Sequence, residues 1–124
     1  MRWSATILGE PCSKANSRRL VSFGGRPRVI KSKKALDYSE AVLAQLAFLR
    51  PARPIEGDVI ATIRIWYASR RPDLDDSLVL DLLQKGAVIV NDRQVKERHV
   101  YWMGVDKARP RAEIVVETLE DRPW

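Results

Sequence analysis

The 124-residue chain has one cysteine, Cys12, and one histidine, His99. A lone cysteine excludes an internal disulfide and a cysteine-based zinc site, and it fits a reducing compartment. A lone histidine with no second His or Cys nearby reads as a structural residue rather than a metal ligand or general base. No apolar run approaches the roughly 20 residues of a membrane span. The N-terminus has a strand-like pattern instead of the apolar region of a signal peptide, so the expectation is a cytoplasmic protein with no membrane partner. The length leaves little room for a second domain and is most simply one domain spanning residues 1–124.

Charge is present in excess and unevenly placed. The chain carries 22 Lys and Arg against 16 Asp and Glu. Residues 1–35 hold nine basic side chains and the single acid Glu10, a local balance of +8, whereas the remainder is close to neutral at −2. A basic segment broken by Gly and Ser suits a polyanion, because each phosphate that Lys or Arg neutralises releases condensed counterions. Lys14, Arg18, Arg19, Arg26, Arg28 and Lys31 are the candidate nucleic-acid-binding residues of this segment, for DNA or RNA.

The patterning predicts an α+β (mixed α/β) fold, a small mixed β-sheet with two main helices packed on it. "RWSATILGEP" reads as a strand that stops at Gly9 and Pro11, and "LVSFGGRPRVI" as two extended pieces around a Gly24-Gly25 turn. From Lys33 to about Leu49, the spacing of Leu36, Val42, Leu43, Leu46 and Leu49 marks an amphipathic helix that Pro51 and Pro54 end. "DVIATIRIWYAS" is a strong strand with Val59, Ala61, Ile63, Ile65 and Tyr67 on one face. A short helix is expected from about Leu74 to Lys85, with Gly86 as its stop. "AVIV", "QVKERHVYWM" and "RAEIVVETLE" complete the pattern as extended segments, and Trp3, Trp66 and Trp102 fall in strands where packing is the ordinary expectation.

The acids of "RRPDLDDSLVLDLL" carry the chemistry. Asp is favoured at helix starts by capping and by the macrodipole, yet three carboxylates at 73, 75 and 76 exceed what a cap requires. Close carboxylates tolerate one another when a cation sits among them, and hard oxygen ligands suit Mg²⁺ or Mn²⁺. Asp92 ends the next extended segment and is expected to return beside Asp73 and Asp75. Such a set suits divalent-metal phosphodiester chemistry, with the basic N-terminal third holding the nucleic acid. Arg70 and Arg71 flank the acids and suit a phosphate contact or a role in lowering the acids' pKa. Asp37, Asp58, Asp81 and Asp106 have no motif around them and read as surface charge.

These residues, taken in order, resemble the RusA-type Holliday junction resolvases. The likeness runs over most of the chain: "GEPCSKANSRR" resembles the family's Gly-x-Pro and basic region, "RRPDLDD" its Asp-Leu-Asp-Asn motif, and "VIVNDRQVKE" its Asp-Asp-x-Gln-Val segment. The resemblance implies a homodimeric, Mg²⁺-dependent endonuclease of four-way and other branched DNA in recombination and repair, with no small-molecule cofactor. It makes Asp73, Asp75 and Asp92 catalytic and, with Asp76, metal-binding. Asp76 stands where the family has Asn, and Asn91 where it has Asp. The family's helix lysine falls on Val79 by ungapped counting or on Ser77 if the helix is two residues shorter. Two readings stay open: cleavage supported by Lys14 or by the metal alone, or a weakened or inactive relative that binds junctions without cutting them. A DxD nucleotide-sugar transferase fails on size.

Overall fold

The computed structural model describes residues 1–12 and 18–121, with backbone alone at 18–23, 26–29, 31 and 121. Its elements are β1 (Arg2–Leu8), β2 (Arg18–Phe23), β3 (Arg26–Lys31), α1 (Lys33–Leu49), β4 (Val59–Tyr67), α2 (Ser77–Lys85), a 3-10 turn (Asp92–Gln94), β5 (Val95–Val105) and β6 (Arg111–Thr118). The fold is α+β, as the patterning predicts. Four strands form one sheet in the order β1-β6-β4-β5, and β2-β3 is a separate hairpin. The β4-β5 pair is parallel and the other pairs are antiparallel. Parallel neighbours need a crossover connection, and residues 68–94 supply it with the acid segment and α2.

Strand alternation settles which face is covered. Val59, Ala61, Ile63, Ile65 and Tyr67 are all fully buried, with Ile7 from β1 and Ala112, Ile114 and Val116 from β6 in the same core. The helices close that face through Ala35, Tyr38, Val42 and Leu46 of α1 and Leu78, Val79, Leu82 and Leu83 of α2. Ser32 caps α1 by accepting from the Ala35 amide, and the helix ends at Arg50, whose extended backbone is what a following proline favours. Gly24 and Gly25, both at positive φ, form the expected two-residue turn of the hairpin.

Three expectations shift. Leu36 and Leu49 are 47% and 44% exposed, so the buried stripe of α1 runs through Ala35, Tyr38, Val42 and Leu46 instead. α2 begins at Ser77 and not near Leu74, which is 43% exposed ahead of the helix. "AVIV" forms no strand: Ile89 makes an isolated parallel bridge with Ile55.

Gly86 stops α2 as expected, but it does so as a C-cap without left-handed backbone. Gly86 has ordinary φ, and a Cβ there would lie 2.5 Å from Leu46 Cδ1 and 2.9 Å from the Leu82 carbonyl, while Ala87 carries the left-handed φ of 63°. Glycine at 86 therefore serves close helix approach, and alanine at 87 is strained. Gly86→Ala should destabilise the fold by about 1–3 kcal/mol through overpacking. Ala87→Gly should stabilise it by about 1 kcal/mol. Urea titration of both variants reads the opposite signs.

Candidate active site

The acid segment leaves β4 through three anchors. The Ala68 amide donates to Glu10 Oε2 at 2.6 Å, and Lys34 Nζ lies 3.3 Å from the other Glu10 oxygen. The Tyr67 hydroxyl donates to the Asp73 carbonyl at 3.1 Å and accepts from the Asp75 amide at 3.3 Å. Burial of the ring raises the phenol pKa, so the hydroxyl stays protonated and remains a donor. These bonds keep residues 73–75 out of the helix. The helix then starts because Asp75 Oδ1 accepts from both the Ser77 amide (2.9 Å) and the Ser77 hydroxyl (2.6 Å).

The acids have different surroundings. Asp73 is exposed, and Asp75 is half-buried with its carboxylate plane set by Ser77. Asp76 is only 5% exposed, and its Oδ2 lies 3.2 Å from Arg98 Nε. Burial raises the Asp76 pKa, Arg98 opposes that, and the Asp75 charge adds to the rise. A side chain already facing a guanidinium is a poor cation ligand, which separates Asp76 from its neighbours.

Asp92 is exposed at the start of the 3-10 turn, where its amide donates to Gln84 Oε1 at 3.0 Å. Gln84 is in the last turn of α2, so Asp92 lies near the C-terminal end of that helix, and Asp75 and Asp76 at its N-terminal end. Asn91 caps the turn by accepting from the Arg93 amide at 2.9 Å, a task its amide oxygen performs without a negative charge. Among the described residues no three His, Cys, Asp or Glu side chains form a group able to hold a metal ion. Asp73, Asp75 and Asp92 are not gathered in this structure. The donor chemistry of Asp73 and Asp75, two carboxylates at a strand exit, still fits a hard divalent cation.

Arg70 and Arg71 are exposed at the head of the segment, with the Arg70 guanidinium 5.3 Å from the centroid of the Trp102 ring. Backbone alone is described for Arg18, Arg19, Arg26, Arg28 and Lys31, which lie on β2 and β3 in a register that pairs Arg18 with Lys31 and Val21 with Arg28. Lys14 lies outside the described residues. His99 faces Glu97 at 3.4 Å and is exposed, with no part in the acid segment. Val79, one candidate for the family's lysine position, is buried in the core, whereas Ser77, the other, holds Asp75.

Sequence reasoning missed Glu10, Tyr67, Ser77 and Arg98 as partners of the acids. Only Ser77 had a local signal, since Asp followed two residues later by Ser is a side-chain-to-backbone turn pattern.

A basic α+β domain that presents carboxylates at a strand exit has the composition of a nuclease working on a polyanion. The chain belongs to the endodeoxyribonuclease RusA family, whose model matches residues 9–117. Membership makes it a DNA-binding protein of the nuclease class, in a family that acts on branched DNA junctions. No curated protein matches the chain. No helix among the described residues is long and apolar enough to cross a membrane.

Proposed function

We propose that this chain is a divalent-metal-dependent resolvase of Holliday junctions and other branched DNA, serving recombination and repair in the cytoplasm. The observation that carries the reading is the pair Asp73 and Asp75, held at the exit of β4 by Tyr67 and Ser77, in a chain of the RusA family. Asp73 and Asp75 would hold Mg²⁺ or Mn²⁺, with Asp92 completing the set by its correspondence to the family's acidic motif. The ion supplies Lewis acidity and charge neutralisation at the scissile phosphate when bound.

The protein's own groups do the rest. Ser77 fixes the Asp75 carboxylate, and Tyr67 fixes the backbone that carries the two acids, so that backbone and the Asp75 carboxylate need no ordering when DNA arrives. Arg71 stands exposed beside the acids to meet a backbone phosphate. Arg70, with Lys14, Arg18, Arg19, Arg26, Arg28 and Lys31, extends that grip, positioning the duplex without reading its sequence. Two symmetric cuts follow from a homodimer, whose twofold axis presents two such sites.

A second reading, junction binding without cleavage, is favoured by one observation: neither Val79 nor Ser77 is a cation. One experiment separates the two. A synthetic four-way junction and a linear duplex are incubated with the protein in Mg²⁺ or in EDTA. The resolvase reading expects paired nicks in the junction alone and only with Mg²⁺; tight junction binding with no nick under Mg²⁺ or Mn²⁺ sinks it.

A further inference from the structure

β5 carries two side chains that meet opposite ends of the acid segment. Its register places Arg98 beside Ala61, Val100 beside Ile63 and Trp102 beside Ile65. Directly paired residues share a face of the sheet, so Arg98, Val100 and Trp102 lie on the helix-covered side with the buried row of β4. Arg98 Nε is 3.2 Å from Asp76 Oδ2, at the C-terminal end of the segment. The Trp102 ring receives the Arg70 guanidinium at 5.3 Å, at its N-terminal end. The segment therefore runs over β5 in the opposite sense to the strand, with Asp73 and Asp75 between the two anchor points.

We propose that Arg98 and Trp102 are positioning residues that hold the acid segment at both ends and so set where Asp73 and Asp75 stand. Four residue steps along the strand separate the two anchors, about 13 Å, while the six steps from residue 70 to residue 76 reach about 20 Å when extended. The slack is enough for the segment to bow away from β5, and Asp73 is exposed accordingly. Arg98 also has an electrostatic task. Asp76 is nearly buried next to Asp75, and an uncompensated charge there would be forced outward into solvent, taking Asp75 with it. Trp102 offers the flat face on which a guanidinium rests without losing its remaining donors.

The cleavage half of this inference rests on the resolvase reading; the anchoring half does not. The test uses the full chain, without metal, as wild type and as Arg98→Ala, Arg98→Lys, Trp102→Ala and Trp102→Phe. Amide hydrogen exchange is followed residue by residue, and junction cleavage is measured in Mg²⁺. Exchange at Asp73 to Ser77 should rise about 10-fold or more in both alanine variants while β4 and β6 keep wild-type protection, the pattern of local and not global opening. For both alanine variants kcat should fall by about 10- to 100-fold with KM for the junction unchanged, since misplacement of the reacting groups costs on that scale. Lys at 98 and Phe at 102 keep a charge and a ring, and should stay within about 3-fold of wild type in kcat. Asp76→Asn/Arg98→Ala, which leaves no buried charge unpaired, covers a failure of Arg98→Ala to fold, and the same local rise is expected there. Unchanged exchange at 73–77, or an equal rise across β4 and β6, overturns the anchoring. Faster exchange with unaltered kcat overturns its role in cleavage, and a wild type that cuts nothing removes the resolvase reading while the exchange result still decides the anchors.

Discussion

Asp75→Asn should abolish metal-dependent junction cleavage, lowering kcat by on the order of 10³-fold, about 4 kcal/mol of barrier. The substitution is nearly isosteric and the amide oxygen still accepts from Ser77, so the start of α2 keeps its bonds. Stability should move by less than about 1 kcal/mol, as for other substitutions that spare packing and partners. What disappears is the negative charge that attracts a divalent ion and the second charged oxygen. Junction binding in EDTA should be retained or slightly tightened, because one repulsive charge beside the phosphates is gone. Asp76→Asn is the informative contrast. Its carboxylate faces Arg98, and an asparagine oxygen can still face that guanidinium, so cleavage should stay within about 10-fold of wild type, the effect of weakening one pairing at a position that is no ligand. Equal losses in the two variants would make Asp76 a ligand and overturn the separation drawn between these neighbours. Single-turnover cleavage with DNA saturating measures both.

The strands and the acids were legible in the sequence for different reasons. The alternation from Val59 to Tyr67 is a strictly local signal, and all five residues on that face are buried. The acids were legible because three carboxylates crowd into four positions. The start of α2 was not, because the periodicity of Leu74, Leu78 and Leu82 continues past the point where Asp75 and the Tyr67 hydroxyl divert the backbone. Tyr67 was read as a core residue, and it is one; its hydroxyl at the edge of the core is what the pattern could not convey. Glu10 lies 58 residues from the amide it accepts from, and Arg98 meets Asp76 only because β5 runs parallel to β4 and pairs Arg98 with Ala61. Pairings of that kind follow from topology and leave no periodic trace. In α1 two of the leucines misled: Ala35 and Tyr38 join Val42 and Leu46 in the core, and Leu36 and Leu49 are left outside.

The charge asymmetry leads to the second large effect. Arg18, Arg19, Arg26 and Arg28 replaced together by glutamine should weaken junction binding by about 10²-fold at low salt and cut the slope of log affinity against log salt by about 3 to 4 units, close to 0.9 for each phosphate no longer neutralised. The four lie on a hairpin whose strands pair with each other and not with the four-stranded sheet, so their replacement should leave the unfolding midpoint in urea near that of wild type. The kinetic signature should oppose that of Asp75→Asn. Binding suffers while kcat at saturating junction stays within about 3-fold, because these interactions are made equally in the ground and transition states. The two substitutions therefore separate the halves of the protein, a basic segment that holds the polyanion and an acidic one that acts on it. An unchanged salt slope would move the phosphate grip elsewhere, with Arg70, Arg71 and Lys34 next in line, since these cations already stand at the acid segment. A slope that falls by the expected amount with kcat also reduced by about 10²-fold would mean that the hairpin reaches the scissile phosphate itself. It would then supply, from outside the helix, the cation that Ser77 and Val79 cannot provide.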